Sequence, residues 1–112
     1  NHCQVWLINT GWCGGAYGTG KRMSLPNTRK MIEAVLNKTI DQAGYEDFPV
    51  FGFKIPKQVP GVDAVILQPE NTWEDKAKYE AERICLANLF ERNFKKYEPG
   101  VDATIIDAGP KY

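Results

Sequence analysis

An excess of either charge is missing from this chain: fourteen Lys and Arg against fourteen Asp and Glu leave it formally neutral. A neutral chain has no broad basic face with which to neutralise a run of phosphates, so nucleic acid is excluded as a partner and any anion site must be local. Cysteine is scarce. Cys3, Cys13 and Cys85 are odd in number and show no C-x-x-C spacing, which excludes a secreted disulfide framework and suits reduced thiols in the cytoplasm. The single histidine, His2, has no carboxylate or cysteine cluster beside it in sequence, so neither metal ligation nor imidazole acid–base chemistry is assigned to it. No apolar run approaches the roughly 18 residues that cross a bilayer, and no charged-then-apolar leader opens the chain, so no membrane partner is expected. Internal repeats and low-complexity tracts are also missing.

What is present suits one modest core. Of 112 residues, 43% are hydrophobic and 12% aromatic, a globular composition at the size of one ordinary domain. Asn1-His2-Cys3-Gln4 opens without Met and runs straight into Val5-Trp6-Leu7-Ile8, an abrupt start that leads us to expect a piece of something longer. The apolar run over residues 3–8 predicts a short buried strand. Glycines at 11, 14, 15, 18 and 20 then predict a loop, ending in Lys21-Arg22.

After Pro26 and Asn27, the recurrence of Met31, Ile32, Val35 and Leu36 predicts a helix over residues 28–36 with Asn37 as its left-handed end. Residues 48–56 mix aromatics with prolines and predict an edge strand, followed by mostly loop to Pro69. Thr72-Trp73-Glu74-Asp75 has the spacing of a capping box with Asp in place of Glu, predicting a long helix over residues 74–97. Its packed stripe is expected to run through Ala77, Ala81, Ile84, Leu86, Leu89, Phe90, Phe94 and Tyr97, with the interleaved charges in solvent. Pro99-Gly100 ends it, and residues 101–108 have room for one more turn. The fold class expected is α/β: a short mixed sheet flanked by two helices, with residues 1–112 as one segment.

Strand, glycine-rich loop and helix in that order bring backbone N–H groups close to phosphate. Gly15-Ala16-Tyr17-Gly18-Thr19-Gly20-Lys21 satisfies G-x-x-x-x-G-K, but Arg22 stands where a P-loop needs a Ser or Thr hydroxyl for Mg²⁺. Pro26 also sets the helix start several residues beyond Lys21, which a P-loop does not allow. Two readings of the loop remain on composition alone: a solvated surface loop, and one wall of a ligand site. Cys13 is expected to be a half-buried filler rather than an activated thiol. Trp6, Trp12 and Trp73 are expected as core anchors.

Asn9-Thr10-Gly11-Trp12, then Gly14-Gly15, Tyr17-Gly18, Gly20-Lys21-Arg22-Met23 and Thr28-Arg29, resemble the C-terminal part of ATP-dependent phosphoenolpyruvate carboxykinases. The likeness continues through Phe51-Gly52, Ile55-Pro56, Val59-Pro60-Gly61-Val62, Asn71-Thr72-Trp73, Leu89-Phe90 and Ala108-Gly109-Pro110, so it covers nearly the whole chain. It implies the C-terminal segment of a nucleotide-binding domain in a gluconeogenic lyase. Such an enzyme converts oxaloacetate and ATP to phosphoenolpyruvate, CO₂ and ADP.

The resemblance places the P-loop, the residues that bind a divalent metal (Mg or Mn) and the oxaloacetate-binding arginine upstream of this segment, so no catalytic or metal residue is expected here and the isolated piece should be inactive. In this segment it implies nucleotide contacts by an Arg, the apolar residue after it and a Thr six positions on. Arg22, Met23 and Thr28 hold those positions. A guanidinium suits phosphate oxygens, Met an apolar purine face, and Thr28 either the nucleotide or its own helix backbone. The expected partners are the nucleotide, ATP, and the rest of the same enzyme. The alternative is a stand-alone, non-catalytic nucleotide-binding or protein-interaction module.

Overall fold

The computed structural model describes residues 3–112, so His2 lies outside the described residues. The α/β class holds, but its strands form two separate two-stranded sheets rather than one mixed sheet. By contact the chain divides into two compact units, one of residues up to 45 together with 56–74, the other of residues 46–55 and 75–112.

In the first unit, residues 3–10 carry no regular structure, and the buried strand expected there does not form. Val5 and Leu7 are 86% and 81% exposed. A strand is stable only when its N–H and C=O groups find a ladder, and among the described residues no strand pairs with this run. Trp6 alone turns inward, packing on the core and against Tyr45 with ring centroids 6.0 Å apart.

The glycine-rich segment is a loop over residues 14–20, as expected, closed at its base into a hairpin. β1 (Trp12–Cys13) pairs antiparallel with β2 (Lys21–Arg22), with Trp12 opposite Arg22 and Cys13 opposite Lys21. Helix α1 spans Leu25–Leu36, three residues longer at its start than the periodicity indicated. Pro26 lies inside the first turn, where its missing N–H costs nothing, and the start is set by Ser24, whose hydroxyl accepts the Asn27 amide. At the other end the left-handed residue is Lys38 (φ 58°), while Asn37 stays helical.

The core of this unit is Ala34 from α1, Ile40 from the 3-10 turn Thr39–Ala43, and Val59 and Val62, with Met31, Val35, Ile66 and Leu67 packed around them. Hence the α1 face that packs is 31–34–35, and Ile32 and Leu36 are exposed. Val59 is almost wholly buried, a contribution of about 2 kcal/mol for a side chain of that size. Two one-turn helices follow: α2 (Ala64–Leu67) stands where loop was expected, and α3 (Pro69–Thr72) begins where that stretch ends. Asp63 caps the first through the Val65 amide.

The second unit carries the other hairpin. β3 (Tyr45–Asp47) pairs with β4 (Lys54–Pro56), so the single edge strand expected over residues 48–56 is instead a turn and one returning strand. Phe48 closes the turn by donating its amide to the Phe53 carbonyl at 2.7 Å. Helix α4 runs Lys76–Phe94. Its cap is Asp75, whose carboxylate accepts the Ala77 and Lys78 amides at 3.0 and 3.1 Å. The capping box led by Thr72 is therefore not made.

The packed face of α4 also departs from the apolar stripe. Tyr79 and Ala87 are buried with Arg83 between them, a 4-residue spacing, whereas Leu86, Leu89, Phe90 and Tyr97 are about half exposed or more. In that position Arg83 is paired with Glu80, and the Tyr79 ring lies 5.6 Å from its guanidinium carbon. The hydrogen bond to Glu80 pushes its pKa up further. The chain ends with α5 (Ala103–Asp107), the further turn anticipated, capped by Asp102. The Lys111 amide bonds the Val50 carbonyl at 2.7 Å and the Tyr112 hydroxyl donates to Asn88 at 3.2 Å, tying the end of the chain down.

Candidate functional site

The residues singled out in sequence lie on consecutive pieces of the first unit. Arg22 ends β2, Met23 follows it, Ser24 caps α1, and Thr28 is in the first turns of that helix. The hairpin fixes this order. Beyond the Trp12–Arg22 pair, the Met23 amide donates to the Gly11 carbonyl at 3.0 Å, and the Gly11 amide donates to Asn9 Oδ1 at 3.0 Å. At its far end the Thr19 and Gly20 amides both donate to the Ala16 carbonyl, at 3.0 and 2.9 Å.

Two glycines are required by contact or dihedral. Gly14 takes φ 80°, and a Cβ there would sit 2.9 Å from the Thr72 carbonyl oxygen. Gly20 has backbone on top of it: a Cβ would lie 2.5 Å from the Gly15 oxygen and 2.7 Å from that of Cys13. The turn is thus folded backbone against backbone, as small residues permit.

Arg22 is exposed and makes no ion pair among the described residues. Lys21 is exposed too, but adjacent residues of a strand point to opposite faces, so the two cations do not serve one small anion together. Arg22 leads directly into the N-terminus of α1, which carries roughly half a positive charge and has no acidic residue in its first turn to compensate it. Met23 is half-buried. The Thr28 hydroxyl donates to the Ser24 carbonyl at 3.2 Å, so its proton serves the helix backbone while its oxygen lone pairs still accept. Lys21 sits in a strand, not at a helix start, which removes the P-loop reading.

Cys13 is half-buried and burial pushes its thiol pKa up, in agreement with the filler reading. Trp12 corrects an expectation. It is 47% exposed, edge-on to Tyr17 at 5.2 Å, whereas Trp6 and Trp73 are half-buried. Strand alternation explains it: with Cys13 turned inward, Trp12 must turn outward. Thr72 was missed. Its hydroxyl accepts the Gly14 amide at 3.0 Å and donates to the Pro69 carbonyl at 2.7 Å; the local spacing to Asp75 pointed to a cap, and nothing in sequence marks a partner 58 residues away.

Among the described residues no three His, Cys, Asp or Glu side chains converge. No helix among the described residues is long and apolar enough to cross a membrane. Arg22 and the N-terminus of α1, with no acid in its first turn, make this end of the hairpin locally positive.

Sequence comparison agrees with this architecture. A model of the phosphoenolpyruvate carboxykinase family matches residues 1–65. The chain is similar to the phosphoenolpyruvate carboxykinases (ATP) of Mesorhizobium japonicum, 47% identical over 108 residues (96% of this chain, 20% of that one), and Fusobacterium nucleatum, 49% over 112 residues (100% and 21%). It is also similar to phosphoenolpyruvate carboxykinase (ATP) 1 of Moorella thermoacetica, 50% identical over 109 residues (97% and 21%). It spans about a fifth of the length of these curated relatives. With more than half its residues inside the family match, the chain belongs to the phosphoenolpyruvate carboxykinase family.

Proposed function

We propose that this chain is the C-terminal segment of the nucleotide-binding domain of an ATP-dependent phosphoenolpyruvate carboxykinase, a cytoplasmic, gluconeogenic lyase that turns oxaloacetate and ATP into phosphoenolpyruvate, CO₂ and ADP. The segment supplies one wall of the nucleotide site. Arg22 meets phosphate or ribose oxygens, Met23 lies against the base, and Thr28 accepts a hydrogen bond through its free lone pairs. The phosphate cradle, the Mg or Mn ligands and the oxaloacetate-binding arginine belong to the remainder of the enzyme, and this segment alone is inactive.

The observation that carries the reading is the exposed Arg22, unpaired among the described residues, at the entry to a helix whose first turn has no acid, in a chain of this family. Phosphoryl transfer depends chiefly on positioning and charge neutralisation, and a permanent cation on a pinned hairpin contributes to both. The exposure of Val5 and Leu7 supports the larger-enzyme reading over a stand-alone module, since such a run is normally covered by a neighbouring strand.

In the complete enzyme Arg22→Ala should raise KM for ATP by about tenfold, the scale of one lost charge-assisted hydrogen bond. Wild-type kcat and KM for ATP in that variant would overturn the assignment. The isolated segment should bind apolar dyes or self-associate; cooperative melting of a monomer would favour the stand-alone module instead.

A further inference from the structure

The hairpin that carries Arg22 is not held by its own ladder alone. Two pairs of residues form β1–β2, and a two-stranded ribbon of that length is marginal in water. A side-chain bond reaches it from a distant part of the sequence, from Thr72, the last residue of α3. That hydroxyl is used twice: it accepts from the Gly14 amide at 3.0 Å and donates to the Pro69 carbonyl at 2.7 Å. The second bond fixes the direction of the first, because a hydroxyl that donates to a carbonyl turns its lone pairs away from it.

Gly14 is adjacent to Cys13, which pairs with Lys21, the neighbour of Arg22. Gly14 is also the position where a side chain would strike the Thr72 carbonyl. Backbone and hydroxyl of one residue therefore define where the turn of the hairpin begins.

We propose that Thr72 is a positioning residue for the nucleotide site, holding the glycine hairpin so that Arg22 is presented in one orientation. This rests on the reading of Arg22 as a nucleotide contact. Thr72 touches no substrate; it acts by lowering the orientational freedom that Arg22 would lose on binding.

The test uses the complete enzyme at a temperature well below its Tm. Thr72→Val keeps the shape of the side chain and removes both hydrogen bonds, and should raise KM for ATP by about fivefold with KM for oxaloacetate unchanged. Thr72→Ser restores the hydroxyl and should return KM for ATP to wild type. Gly14→Ala attacks the same contact from the other side and should raise KM for ATP at least as much. If Thr72→Val fails to fold, Gly14→Ala and Thr72→Ser carry the test: a wild-type KM for ATP in the first, or none regained in the second relative to Gly14→Ala, overturns the proposal. Arg22→Ala separates the two ideas. A raised KM there with wild-type KM in Thr72→Val refutes the positioning role alone; a wild-type KM in Arg22→Ala refutes the nucleotide reading and the positioning role with it.

Discussion

The two hairpins of this chain are held by opposite means. The turn between β1 and β2 is built from backbone folded against backbone, with glycines where a Cβ would collide. The turn between β3 and β4 is built from side chains: Phe51 stacks on Phe48 and Phe53 with centroids 6.1 and 6.0 Å apart, and meets Phe90 edge-on at 6.1 Å. It even tolerates Val50 at φ 69°. At Gly14 and Gly20 the missing side chain lets backbone oxygens come close; in the second turn phenylalanine rings fill the corresponding space. The proposed presentation of Arg22 therefore rests on close backbone contact, and the second hairpin on packing of rings.

The largest effect should come from destroying that backbone fold. Gly20→Ala drives a methyl into two carbonyl oxygens and should cost about 3 kcal/mol of local opening free energy. Native-state hydrogen exchange of the 11–22 amides in the full-length protein measures it, and KM for ATP should rise in parallel.

Phe51→Ala, on the packing hairpin, should lower the opening free energy of residues 45–56 by about 2 kcal/mol, since the ring is half-buried and touches three others. KM for ATP should stay at wild type. A rise there would abolish the division of labour between the two turns.

Val50→Gly should move the other way. A β-branched residue at φ 69° is strained, and its release should gain about 1 kcal/mol in the same exchange experiment.

The smallest effect is one of titration. Tyr45, at the start of β3, donates to Asp41, and that bond, with burial and the carboxylate charge behind it, holds the phenol at about 12. The shift is upward, so its contribution to stability is complete below the ordinary phenol range near 10 and is lost as pH rises toward the folded value. Ultraviolet difference titration should show one late phenol that returns toward 10 in Asp41→Asn.

The sequence made α1 and α4 legible because period and caps are local, yet it misjudged which faces pack. Ile32 and Leu36, or Leu86 and Leu89, are as apolar as the residues that are buried, and only the position of a neighbour decides between them. The glycine block was read as a loop, which it is over residues 14–20, but the short ladder at its base was not foreseen, because pairing of Trp12 with Arg22 depends on residues ten apart meeting across a turn. Likewise Asp75 outcompeted Thr72 as a cap because its carboxylate reaches two amides of the first turn at once.

What the sequence by itself determined is the family and the α/β class, and it nominated Arg22, Met23 and Thr28 as the nucleotide contacts to test, since these are written as residue types in order along the chain. What only the tertiary structure decided is which groups are spoken for. Thr28 gives its proton to the helix and Thr72 closes a 58-residue separation onto Gly14. A hydrogen bond joins whichever donor and acceptor folding brings within about 3 Å, and that proximity is a property of the folded chain that no local pattern records.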